Sequence, residues 1–166
     1  MNIEVHLAIG GILELAKQFP DIVREETVKR MRIAVARLEK DVVEKTPAGV
    51  GGAAGLRGSI AGQVDYFGDS VRGTVETAVK YAEVVEVGRK AGSFPPVAPI
   101  ALWAQRKLGV GADDAESVGF LIARKIFKSG TEGAHMFENA WKQDEAWVMN
   151  QMQGILTDVV RRVNGL

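Results

Sequence analysis

The chain has 166 residues, 21 basic side chains against 21 acidic ones, and no cysteine. This length supports a hydrophobic core without a disulfide or metal staple, and the missing thiols exclude a cysteine nucleophile, a cysteine-based zinc site and a disulfide framework. Residues 1–20 carry no basic leader segment, Glu4 interrupts the early apolar residues, and no apolar run approaches the roughly 20 residues of a membrane helix, so a single soluble domain over 1–166 is expected.

The formal net charge is zero, but the charges are unevenly placed. Residues 89–128 hold seven basic residues (Arg89, Lys90, Arg106, Lys107, Arg124, Lys125, Lys128) and three acidic ones (Asp113, Asp114, Glu116). The balance argues against a general DNA-binding protein. The local excess still permits contact with phosphate or an acidic partner, with Arg106, Lys107, Arg124, Lys125 and Lys128 as the DNA-facing candidates. Solvated helix faces are the blander and preferred reading.

In chain order, residues 11–19 allow a turn or two of helix. Residues 21–45 are predicted to form a long helix. Val28, Met31, Val35, Leu38 and Val42 recur every three or four residues, which aligns them on one stripe. Asp21 is placed to cap its start. Glu25 with Lys29, Glu26 with Arg30 and Asp41 with Lys45 are placed for i,i+4 pairing. Residues 47–55, with four glycines, read as a flexible loop. The runs 56–66 and 71–81 alternate, with Leu56, Ile60, Val64 and Tyr66 on one face of the first and Val71, Val75, Val79 and Tyr81 on one face of the second. They predict a β-hairpin turning at Gly68-Asp69. Gly58, Gly62 and Gly73 fall on the same apolar face, where another element can approach closely.

A short helix is predicted over 82–87, ending at Gly88. Residues 92–99, with Pro95, Pro96 and Pro99, predict an extended arm. A short helix over 100–108 follows. Another over 115–128 is capped by Asp113 or Asp114, with Val118, Leu121, Ile122, Ile126 and Phe127 as its core side, and stops at Gly130. A last helix over 133–163 buries Phe137, Trp141, Val148, Met152, Ile155 and Val159, with Gly154 weakening it. The expected fold class is α+β: a long N-terminal helix packed on a small antiparallel sheet built round the hairpin, with short helices and a C-terminal helix.

Reactive constellations are scarce. Gly49-Val50-Gly51-Gly52-Ala53-Ala54 matches G-x-G-x-x-A, but a helix precedes it and a strand follows, the reverse of the dinucleotide-binding order. His6 and His135 have no specific metal-ligand spacing, and no serine lies in G-x-S-x-G. Asp113, Asp114 and Glu116 read as dipole-favouring residues at a helix start rather than a cation site. Trp103, Trp141 and Trp147 read as core or interface anchors rather than base-stacking platforms. No catalytic residue, cofactor or metal is expected.

Several segments stand in a telling order: Thr46-Pro47; Gly55-Leu56-Arg57-Gly58-Ser59-Ile60; Val79-Lys80-Tyr81-Ala82-Glu83-Val84-Val85-Glu86-Val87-Gly88-Arg89; Phe94-Pro95-Pro96; the helix with Trp103; Ile122-Ala123-Arg124-Lys125-Ile126 before Gly130-Thr131; and Phe137-Glu138-Asn139-Ala140. Over residues 25–142 this order resembles the phage tail-component family whose type member is the tenth gene product of a lambda-like coliphage. The segment Tyr-Ala-x-x-x-Glu-x-Gly-Arg followed by Pro-Pro is its strongest part. The resemblance implies a non-enzymatic α+β virion subunit at the neck or tail end, assembled in the bacterial cytoplasm. It implies copies of itself in a six-fold or twelve-fold ring, and terminator, tube and head-closure proteins, as partners. Leu56, Arg57, Tyr81, Glu86, Arg89, Phe94, Pro95, Pro96 and Trp103 are the expected interface residues. A nucleic-acid-binding accessory protein using the basic 89–128 stretch is the alternative, and no membrane contact is expected.

Overall fold

The computed structural model describes residues 1–8, 13–49, 55–68 and 70–165. Its elements are β1 (Asn2–Ala8), α1 (Leu13–Gln18), α2 (Pro20–Lys45), α3 (Leu56–Ser59), β2 (Ile60–Phe67), β3 (Ser70–Thr77), α4 (Ala82–Val87), β4 (Gly88–Arg89), α5 (Val97–Leu108), α6 (Ala112–Ser129), β5 (Thr131–Glu132) and α7 (Met136–Val163). The fold is α+β, with a long N-terminal helix against an antiparallel sheet built round a hairpin. The chain divides into two compact units. The first comprises residues 1–45, 60–77 and 137–166, and the second residues 46–59 and 78–136.

In the first unit the sheet order is β1-β3-β2, so the hairpin is not left as a two-stranded ribbon. β1 pairs antiparallel with β3, Ile3 opposite Val75 and Val5 opposite Gly73, and covers the edge that the hairpin alone would leave open. On the other side of β3, Gly62 stands opposite Val75 and Val64 opposite Gly73. Alternation therefore puts Ile3, Val5, Ile60, Gly62, Val64, Val71, Gly73 and Val75 on one face.

That face meets α2, and the glycines set how closely. A Cβ at Gly73 would stand 2.6 Å from Val35 Cγ2 and 2.7 Å from Met31 Sδ; one at Gly62 would stand 2.5 Å from Val35 Cγ1. Met31, Val35, Leu38 and Val42 are buried as the helical spacing requires, together with Val23 and Ala34. Each such large aliphatic side chain contributes about 1.5–3 kcal/mol on burial. From α7, Val148, Met152, Ile155 and Val159 are buried, whereas Trp141 is half-buried.

Polar contacts tie α2 to α7 in antiparallel order. Arg162 donates to Glu25 and Glu26, Arg30 to Asp158 and Gln151, Arg37 to Asp144, and Lys45 to Gln143. Several side chains placed for pairing within α2 are thus drawn across to α7: Arg30 and Lys45 leave Glu26 and Asp41 for it. Gly154 has a reason in the same ladder, because a Cβ there would stand 3.0 Å from the Arg30 guanidinium carbon.

Several boundaries differ from the sequence expectation; α6 is longer at both ends, and α7 begins only at Met136, after β5. Residues 56–59 are a helical turn rather than strand, because Ser59 N–H bonds the Gly55 carbonyl at 3.1 Å and Ser59 Oγ bonds the Leu56 carbonyl at 2.9 Å. Gly58 accordingly lies off the sheet. β3 ends at Thr77, so Val79 and Tyr81 are outside it, and the Ala82 N–H turns back to the Val79 carbonyl at 3.0 Å. α2 starts at Pro20, which puts Asp21 in the first turn rather than at the cap. α5 starts at Val97 and absorbs Pro99, since a proline in the first turn forfeits no intrahelical hydrogen bond. Of the expected flexible loop and its G-x-G-x-x-A pattern, residues 50–54 lie outside the described residues.

Candidate docking surface

The second unit contains most of the singled-out residues, and its centre is a small clasp. α4 ends at Gly88, with φ 83°, whose N–H bonds the Val84 carbonyl. Gly88 and Arg89 pair with Glu132 and Thr131, while Ala134 N–H reaches the Val85 carbonyl at 2.7 Å and His135 N–H the Glu86 carbonyl at 3.0 Å. A Cβ at Gly88 would run into the Thr131 carbonyl, at Gly130 into the Arg89 carbonyl, and at Gly133 into the Glu86 carbonyl. Backbone therefore lies against backbone here, and only glycine permits it.

The clasp sorts the expected interface residues. Leu56, Glu86 and Pro95 are buried, with Glu86 only 2% exposed. Arg57 is exposed, yet its Nε is held 2.5 Å from the Thr46 carbonyl. Arg89 is half-buried and donates to Ser93 Oγ at 2.5 Å. Tyr81, Phe94, Pro96 and Trp103 face outward. Within the segment 81–89, Ala82 and Glu86 are internal and Tyr81, Val84 and Val87 are external.

The hairpin of α5 and α6 makes its closest contact with small residues. α6 was expected to bury Val118, Leu121, Ile122, Ile126 and Phe127. Its fully buried residues are Ala115, Gly119 and Ala123; Val118, Ile122 and Ile126 are half-buried, so of the expected core side only Leu121 and Phe127 are exposed. A Cβ at Gly119 would be 2.9 Å from the Ala101 backbone nitrogen. Small side chains let the two helices approach closely, and three large ones, Phe120, Leu121 and Phe127, are turned out. Phe120 is 49% exposed, Leu121 61% and Phe127 40%. Phe94 from the preceding arm joins them, its ring centroid 5.7 Å from that of Phe120 and 6.0 Å from that of Phe127. Both pairs are tilted, by 41° and 46°, at centroid separations in the favourable range for aromatic rings.

The basic residues do not form one patch. Arg106 and Lys107 occupy the last turn of α5, across the short turn from Asp113 and Asp114 in the first turn of α6. At about 1.5 Å rise per residue, Arg124, Lys125 and Lys128 lie some 15–20 Å further along α6. There Gly92 N–H bonds the Phe127 carbonyl at 2.8 Å and Gly130 abuts Arg89, which brings Arg89 and Lys90 alongside. Among the described residues, Lys90, Arg124, Lys125 and Lys128 form no ion pair. The far end of α6 is therefore basic and aromatic together.

Asp113 and Asp114 sit inside the first turn of α6, with Gly111 at the cap position, and no group of three or more metal-ligating side chains occurs among the described residues. His6 pairs with Glu4 at 3.0 Å on the exposed side of β1. Trp147 lies under the Arg37 guanidinium at 4.3 Å. A groove of about 400 Å³ between α5 and α6 is lined by Leu102, alanines and a single titratable side chain, Glu116. No described helix is long and apolar enough to cross a membrane. No family model, no curated protein and no solved structure matches the chain.

Proposed function

We propose that this chain is a non-enzymatic structural subunit of a long-tailed phage or prophage particle, acting at the neck or tail end by docking on neighbouring subunits. The observation that carries the reading is the α5–α6 hairpin. The chain packs it with alanine and glycine and leaves Phe120, Leu121 and Phe127 for something outside. Exposed apolar side chains gathered in one place are the signature of an interaction surface. The order of motifs over residues 25–142 supplies the setting, and the rigid glycine clasp gives the segment Tyr81 to Arg89 a structural purpose that fits a subunit rather than a reaction.

Docking would use three parts. The arm with Phe94 and Pro96 and the outward face of α6 would meet one neighbour. The outer edges of β1 and β2 each have one strand partner among the described residues and can accept strand addition. A head-to-tail contact repeated by rotation closes a ring, with six-fold or twelve-fold symmetry expected at a neck. Terminator, tube and head-closure proteins are the further partners in this reading.

The basic end of α6 favours one alternative, an accessory protein that holds nucleic acid. Phosphate contacts would give binding that falls steeply with salt. The particle reading is tested on purified particles of the phage or induced prophage that encodes the chain. Mass spectrometry of their proteins should find it at several copies per particle. Its absence there, together with turnover of a small-molecule substrate by the free protein, would overturn the reading.

A further inference from the structure

We infer that the basic, aromatic end of α6 docks on a second copy of this chain, against the solvent face of the β1-β3-β2 sheet. The inference rests on the assembly reading for its setting, but its evidence is the complementarity of two surfaces of one neutral chain.

The first surface combines two kinds of side chain. Phe120, Leu121 and Phe127 are exposed, and Arg124, Lys125 and Lys128 interleave with them at three- and four-residue spacing. Those three cations have no ionic partner among the described residues. Phosphate backbone would satisfy the cations but leave the apolar side chains in water. A protein surface with an acidic rim and an exposed apolar residue satisfies both, which favours protein over nucleic acid.

The second surface is the sheet face turned away from α2. Alternation puts Glu4 of β1, Glu76 of β3 and Asp65 and Phe67 of β2 on it. Glu4 and Glu76 are exposed, Asp65 is half-exposed, and Phe67 is 54% exposed with Arg72 over its ring at 5.2 Å. Three carboxylates against Arg72 make the face acidic, with an aromatic side chain at one end. It therefore offers the opposite charge and a matching apolar contact. The two surfaces are different patches of the chain, so every copy offers one of each to its neighbours.

The test uses the full-length chain in analytical ultracentrifugation over a concentration series up to its solubility. Self-association is expected, weakening as salt rises from about 0.1 M to about 1 M, because the screening length falls from about 10 Å to about 3 Å. Lys125→Glu and Glu76→Lys should each weaken it about fivefold or more. Mixing these two variants should restore association, because the reversed charges then face each other. Phe120→Ser with Leu121→Ser should abolish it while circular dichroism shows an unchanged fold. A chain that stays monomeric at every concentration overturns the inference, as does association that neither charge variant alters or that their mixture fails to restore. Salt-sensitive binding of a short DNA duplex that Lys125→Glu removes, in a chain that does not self-associate, overturns it in favour of nucleic acid. Because the readout is on the free protein, its failure is distinct from absence of the chain from particles.

Discussion

Gly73 shows how a single residue fixes the seat of the long helix. Its missing side chain is the space that Val35 and Met31 occupy, so Gly73→Ala must displace packed core atoms. The expected cost is about 1–3 kcal/mol in urea denaturation. Gly49→Ala, where a Cβ meets nothing within 4 Å, should differ from the wild type by about 0.5 kcal/mol at most. The sequence made this close approach legible, since Gly62 and Gly73 fall on the apolar side of two alternating strands.

Asp144 is the opposite case, invisible to sequence because its neighbours lie about a hundred residues away. It is fully buried; Oδ1 accepts from Arg37 at 2.9 Å and Oδ2 has no donor among the described residues. Burial, and then the neighbouring Asp41 carboxylate, push its carboxyl above the usual range, against the opposing pull of Arg37. A raised carboxyl pKa means that the folded state holds the proton more tightly than the unfolded chain. The stability contributed is full below about pH 4, the ordinary carboxylate value, and is lost as pH rises through the raised one. Asp158 runs the other way: its hydrogen bond from Arg30 lowers it, so its contribution is present above its ordinary value and lost in acid. Asp144→Asn keeps an acceptor for Arg37 and places an N–H₂ toward Asp41. Compared with wild type by urea denaturation, it should be near neutral at about pH 4 and more stable by about 1–3 kcal/mol at about pH 8. A difference that does not change with pH would contradict the assignment.

At the scale of elements, α5 and α6 depend on alanine and glycine at their contact. Gly119→Val would drive a branched side chain into the Ala101 backbone, which cannot move aside as a flexible side chain could. A loss of about 1–3 kcal/mol is expected, larger than for Ser117→Val on the exposed side of the same helix. Equal effects would show that the helices do not rely on the close approach. This helix also marks where sequence reading stopped. Its position and its stop at Gly130 were legible from periodicity and glycine. Its core side was legible only in part: Val118, Ile122 and Ile126 are half-buried, but Leu121 and Phe127 are exposed, because the closest contact uses alanine and glycine instead of large apolar residues. β1 was the other miss. Ile3, Val5 and Leu7 alternate with Asn2, Glu4 and His6, a strand pattern, but it stands at the chain's start without a hairpin turn to flag its partner.

At the scale of the whole molecule, the expected interface residues separate into buried ones and outward ones. Sequence order singled out the segment from Tyr81 to Arg89, and the fold gives Ala82, Glu86 and Gly88 internal roles while Tyr81, Val84 and Val87 stay exposed. A motif alone cannot make that division, since burial depends on contacts with residues 130–135 that lie far along the chain. The central claim is that these outward side chains dock in a phage particle. The most direct measurement is a cryo-electron microscopy reconstruction of the head–tail junction of particles produced by the phage or induced prophage that encodes this chain. The account predicts density for the chain as a closed ring in the collar, with α6 and the Phe94 arm at contacts between subunits. A collar fully accounted for by other proteins, in particles from which this chain is absent, would contradict it.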